Sequence, residues 1–233
     1  MAPVATSLPD ASHLAPLRDG RREPLPVVPA IAPLLPSGAL RPGTVISVTG
    51  STSLALTLLA GASQAGAWCA AVGLPGLGLV AAGEHGIALD RLVLVDAPGD
   101  AWATVVATLV EALDVVLVRP AQRRSESDVR RLSARVRERE SVVVAIGEWS
   151  GSDVRLAQTR CRWEGLGPGH GHLRARRVEV QVTGRGAAAR PRTAVLWLPG
   201  PGGGAEPIVA PAVSPVVAPV VAADRPAVVA RTA

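Results

Sequence analysis

Thr44-Val-Ile-Ser-Val-Thr49, followed by Gly50-Ser-Thr-Ser-Leu-Ala-Leu-Thr57, decides how this chain is read. The first six residues are mostly β-branched and predict a strand. Ser and Thr after Gly50 can cap a helix, and the apolar run to Gly66 predicts one over 51–66. A strand, a glycine turn and a helix N-terminus make the setting in which free backbone N–H groups hold phosphate. The phosphate-loop pattern is G-x-x-x-x-G-K-[ST]. Gly50 and Thr57 stand at its first and last positions, but Ala55 replaces the second glycine and Leu56 the lysine. Leucine neutralises no phosphate, and burying such charge without compensation is costly. On the motif alone, Gly50 reads as a tight turn before a buried helix.

The elements around this stretch alternate. Strands are predicted at 67–72, 92–95, 114–118 and 141–146. Helices are predicted at 76–88, at 100–113 with Asp100 as cap, and at 126–140. Such alternation implies a mostly parallel sheet covered on both faces. After Gly147 the helical periodicity stops. Residues 153–163, 173–183 and 193–198 alternate as strands, with Gly165 to Gly171 as a connecting loop, and predict antiparallel strands at one sheet edge. The core therefore spans 37–199. Residues 1–36 form a Pro-rich leader in which Val27 to Leu35 docks on the domain, and 200–233 a disordered Pro/Ala/Val-rich tail.

Composition narrows the chemistry. The chain has 233 residues, 48% hydrophobic and 18% charged, which suits a buried core and argues against disorder throughout. All 24 basic residues are Arg. The absence of Lys excludes a Schiff base, a Ser–Lys dyad and a phosphate-loop lysine. Asn is absent too, so no Asn-linked glycosylation site exists. The aromatics are five Trp, which excludes an RNA-binding sheet paved with Phe or Tyr. This bias fits a GC-rich bacterial genome. The net charge of +5 is compatible with nucleic acid, an acidic partner or neither. Cys69 reads as a core residue, and His170-Gly171-His172 as part of a loop with no acid or thiol near enough for a metal site. No secretory signal is visible. Pro42 to Gly83 carries no charge, but its turn signals cut it into pieces of strand or helix length, which argues against a membrane span.

Read in order, Leu40 to Val118 resembles the RecA ATPase core. Leu40 to Gly50 is similar to the strand entering its phosphate loop, and Ala67 to Val72 to its second strand. The family's catalytic Glu falls near Pro75. Leu113-Asp-Val-Val-Leu-Val-Arg119 is similar to the Walker B strand, with Arg119 where the magnesium-orienting Asp would stand. A cation there repels the metal. The resemblance implies a RecA-like fold, mostly parallel with antiparallel strands toward the C-terminus, that has dropped hydrolysis and needs no cofactor or metal. Among such chains it most resembles the ImuA-type accessory proteins of SOS mutagenesis. That implies a cytoplasmic, nucleoid-associated, non-catalytic adaptor in translesion DNA synthesis. Its implied partners are an ImuB-like Y-family protein, an error-prone C-family polymerase, RecA and DNA itself. The alternatives are a RecA-like inhibitor of cell division and a nucleotide-dependent DNA-binding ATPase.

Two arginine clusters are the candidate contacts. Arg123, Arg124, Arg130, Arg131, Arg135, Arg137 and Arg139 crowd one helix and its approach, opposite a stripe of Val129, Leu132 and Val136. That helix reads either as a solvated face balanced by Glu126, Asp128, Glu138 and Glu140 or as a contact surface. Arg155, Arg160, Arg162, Arg174, Arg176 and Arg177 form the second cluster. They line a groove for a DNA backbone or deter edge-to-edge association. Trp163 alone interleaves them, which is weak support for base stacking.

Overall fold

A computed structural model describes residues 23–120, 125–167 and 170–208. Two short strands, β1 (Leu25–Pro26) and β2 (Ala39–Leu40), pair antiparallel. The main elements follow as β3 (Val45–Thr49), α1 (Thr52–Gln64), β4 (Cys69–Val72), α2 (Leu79–Glu84), β5 (Leu92–Val95), α3 (Trp102–Ala112) and β6 (Val115–Val118). Then come α4 (Glu126–Arg139), β7 (Val142–Ile146), β8 (Val154–Gly167), β9 (His170–Gly184), β10 (Arg192–Trp197) and β11 (Glu206–Pro207). They build a nine-stranded sheet of order β11-β10-β9-β8-β3-β7-β6-β4-β5. From β5 to β8 every pairing is parallel, and from β8 to β11 every pairing is antiparallel.

The parallel strands are continuous apolar runs because helices cover both their faces. All four residues of β6 are buried. Leu117 faces α1 with Ile46, Val48 and Val144, whereas Val116 faces α3 and α4 with Val45 and Val143. The molecule is thus an α/β structure of three layers, mostly parallel, with antiparallel strands toward the C-terminus.

Helix α1 is apolar all round, the pattern of a helix covered on every side. Residues Leu54 to Ala60 are all buried. The sheet covers one side, and Ile31, Leu34, Leu35 and Leu40 join the same cluster. Gly61 lets the incoming chain cross, since a Cβ there would lie 2.5 Å from the Cα of Val27.

Several local expectations are corrected. The helix expected over 76–88 is only the six residues of α2, because Gly76, Gly78 and Gly86 (φ +90°) break the run. Asp100 caps nothing: it lies in a 3-10 turn, Gly99–Ala101, and Ala101 precedes α3 without a side-chain bond. Most of the loop expected over 165–171 is strand, as β8 and β9 continue past Trp163 and start before Leu173. β8 is antiparallel only to β9; toward β3 it is parallel. Residues 1–22 and 209–233 of the expected leader and tail lie outside the described residues. Glu206 and Pro207 pair with β10. Among the described residues no helix is long and apolar enough to cross a membrane.

Two glycine replacements should separate propensity from packing. Ala is the better helix former by about 1 kcal/mol. Gly83→Ala in α2 meets only Leu89 Cδ1 at 3.9 Å and should raise stability by roughly 0.5–1 kcal/mol. Gly61→Ala meets backbone and should lower it by roughly 1–3 kcal/mol despite that propensity. Chemical denaturation midpoints of the two variants should move in opposite directions.

Candidate functional cleft and charged surfaces

Parallel pairing brings the C-terminal ends of β3, β4 and β6 to the same end of the sheet, where α1 begins. Gly50 makes the turn at φ +83°, and a Cβ there would come 2.9 Å from the Gln158 carbonyl oxygen. Ser51 caps α1 by accepting a bond from Leu54 N–H at 3.2 Å. Thr57 is buried and donates its hydroxyl to the Ser53 carbonyl at 2.8 Å, so that group is committed to its own helix.

A cleft of about 490 Å³ opens here, walled by Thr52, Ser53, Leu56, Leu74, Pro75, Gly76, Leu77, Gly78, Ala81 and Arg119. The sequence positions read as lysine, catalytic glutamate and magnesium carboxylate, namely Leu56, Pro75 and Arg119, therefore meet in one place. Ala55 is buried outside this lining. Among the described lining residues none is a carboxylate, so these residues offer a divalent cation no anionic ligand. It presents apolar walls, two small hydroxyl residues and one exposed guanidinium.

Trp102 fixes the end of β6 by donating its indole N–H to the Arg119 carbonyl at 3.1 Å. Its ring centroid lies 6.2 Å from that of Trp149, which in turn donates to Ser133 Oγ at 3.0 Å. Sequence reading passed over these tryptophans, which are separated by 47 positions and signal nothing by spacing. Cys69 sits in β4, where burial pushes its thiol up to about 12. That keeps it protonated and poorly nucleophilic. Among the described residues no group of three or more His, Cys, Asp or Glu is arranged for a metal ion.

Helix α4 buries Val129, Leu132 and Val136, the stripe expected. Ser125 and Asp128 form a capping box, and the Ser125 hydroxyl and Arg131 hold the Asp128 carboxyl below its ordinary range. Three candidate arginines have acidic partners: Arg131 with Asp128, Arg135 with Glu111 at 3.2 Å and Arg137 with Asp153 at 3.9 Å. Arg130 and Arg139 are exposed. Arg123 and Arg124 lie outside the described residues.

The second cluster stands on a β8–β9 arm. Toward β3, the pairing of β8 ends at Thr49 with Ala157; toward β10, that of β9 ends at Arg177 with Trp197. Beyond those points the two strands pair with each other. Arg162 lies directly opposite Arg177, and Trp163 opposite Arg176. The Arg176 guanidinium carbon is 5.3 Å from the Trp163 ring centroid, and its Nε donates to the Leu198 carbonyl at 2.6 Å. Arg174 Nε donates to His172 Nε2 at 3.3 Å. Near the arm's root, burial lowers the pKa of His85, and Arg176 adds to that effect. The arm, the cleft and the α4 surface are separate features; no described bond or ion pair joins Arg119 to the other arginines.

A family model described as the MT3502 N-terminal domain matches residues 33–151, from the segment over α1 to the turn before β8. The uncharacterized protein Rv3395c of Mycobacterium tuberculosis is 37% identical over 135 residues, which is 56% of this chain and 66% of that protein.

Gly50→Ala should lower stability by about 1–2 kcal/mol, the cost of a left-handed conformation in a residue with a Cβ. A denaturation midpoint equal to that of the parent would show that the turn relaxes without strain.

Proposed function

The chain belongs to the MT3502 N-terminal domain family, and we propose that it is a non-catalytic RecA-like adaptor in DNA-damage-induced mutagenic translesion synthesis. The observation that carries this reading is the convergence of Leu56, Pro75 and Arg119 on one cleft at the head of α1. Adjacent parallel strands bring the ends of β4 and β6 to the head of α1, as they would in a RecA-like core. A mostly parallel sheet with α1 starting from the turn after β3 fits a RecA-like core. The side chains at the three positions fit the loss of ATP hydrolysis: leucine supplies no phosphate charge, proline abstracts no proton, and arginine repels magnesium.

With the nucleotide chemistry gone, what remains to select is surface. The adaptor bridges an ImuB-like Y-family protein and an error-prone C-family polymerase, with RecA as a further partner, and acts in the cytoplasm at the nucleoid. Its contacts lie among the charged faces of α4 and the β8–β9 arm.

Two measurements test the proposal. Calorimetry with ATP and magnesium should detect no binding in the micromolar range; micromolar binding with turnover would overturn the pseudo-enzyme. Affinity capture of a tagged chain from DNA-damaged cells should recover the Y-family-like and C-family polymerase components. Recovery of neither would remove the adaptor role, even if ATP fails to bind.

A further inference from the structure

We infer that the β8–β9 arm is a nucleic-acid-binding ribbon that enters a duplex groove and holds its phosphate backbone on both flanks. Between Thr159 and Arg177 the chain carries five arginines and one acid, Glu164. Arg160, Arg162, Arg174 and Arg177 are exposed, and among the described residues none of them forms an ion pair. This contrasts with α4, where Arg131, Arg135 and Arg137 have carboxylates beside them.

The register makes the imbalance sharper. Arg162 and Arg177 face each other across the ribbon, and like charges directly opposite are destabilising. Arg160 stands two residues earlier on the same face, opposite Glu179. Glu179 accepts the Thr159 hydroxyl bond at 2.9 Å, and among the described residues Arg160 has no ion pair. On the other face Arg176 lies over Trp163. Arg160, Arg162 and Arg177 thus gather on one face with no ion pair among the described residues, and a surface of that kind calls for an anionic partner.

Shape selects among anionic partners. A duplex major groove, about 12 Å wide, admits a two-stranded ribbon and presents phosphates on both flanks. Contacts from these cations to phosphates carry no base information, so binding through them is expected to be independent of sequence. The site goes beyond the adaptor reading and does not need it: polymerase capture tests that reading, duplex binding tests this one.

The experiment uses the full chain and a fluorescein-labelled mixed-sequence duplex of about 20 base pairs, with anisotropy read from about 50 to 200 mM salt. The variant R160S/R162S/R177S should bind at least about tenfold more weakly, and its log affinity should fall with log salt less steeply by about 2–3. The corresponding triple Lys variant should retain the parent's slope. R131S/R135S on α4 should leave both readouts unchanged. If the Ser triple variant melts early, Arg162→Ser and Arg177→Ser singly should each reduce the slope by about 1. Absence of duplex binding by the parent at the lowest salt overturns the inference. So does a Ser variant with unchanged affinity and slope. Loss of polymerase capture with duplex affinity intact overturns it as well and assigns the arm to an acidic protein.

Discussion

Everything in this structure is arranged around the burial of α1 on both of its sides. Its strand, β3, is paired on one edge with β7 and on the other with β8, so it sits inside the sheet. The helix that follows has no face left for water: residues Leu54 to Ala60 are all buried. A helix in that position must be apolar all round, must meet the sheet on one side, and needs a second cover on the other. Ile31, Leu34 and Leu35 help supply that cover, which is why a proline-rich stretch with little secondary structure of its own is held against the domain. Gly61 is the point of closest approach, and it explains a residue of poor helix propensity inside a helix that otherwise avoids it.

The same burial shapes the cleft. Leu56 is part of its wall and is only 4% exposed, so this side of the cleft is continuous with the core. A lysine in its place would set an ammonium against apolar side chains, with no carboxylate among the described lining residues. Thr57 has turned its hydroxyl back onto its own helix. Among the described lining residues the one cation is Arg119, at the end of β6, and its carbonyl accepts from Trp102.

The sequence made the parallel half of the fold legible because its signals are local and redundant. β-Branched runs such as 142–146, buried on both faces, leave no competing reading, and the stripe of Val129, Leu132 and Val136 has one period only. It was less informative where glycine broke a pattern. Gly76, Gly78 and Gly86 reduced a predicted helix to α2, while Gly165 and Gly171 suggested a loop where β8 and β9 run on. A glycine of positive φ can end a strand or sit within a ribbon, and periodicity does not distinguish the two. Leu56 lies in the first turns of α1, and Pro75 and Arg119 follow β4 and β6, which the parallel topology aligns, so the three line one cleft. The pairing of Trp163 with Arg176 was not legible, because a cross-strand register depends on the hairpin and its irregularities at Gln158/Arg160 and Glu164/Leu166.

Charge is divided between the two halves of the molecule in a way that composition alone conceals. A net charge of +5 describes neither region. On α4 the cations alternate with acids at helical spacing, and neighbours three residues apart can meet, as Arg131 and Asp128 do. On the arm the acids that would balance Arg162 and Arg177 would have to stand directly opposite them, and instead each has the other. Exposed ion pairs of the α4 kind contribute little to stability, and their charges largely cancel beyond a Debye length. An unpaired cluster retains its field over that range. The arm lies beyond residues 33–151, where the family model matches, and its root, Gln158, packs against the Gly50 turn that begins α1. The most buried and the most exposed features of the protein thus share one point of attachment, so the rigid β3–α1 unit sets the direction in which the charged ribbon leaves the sheet.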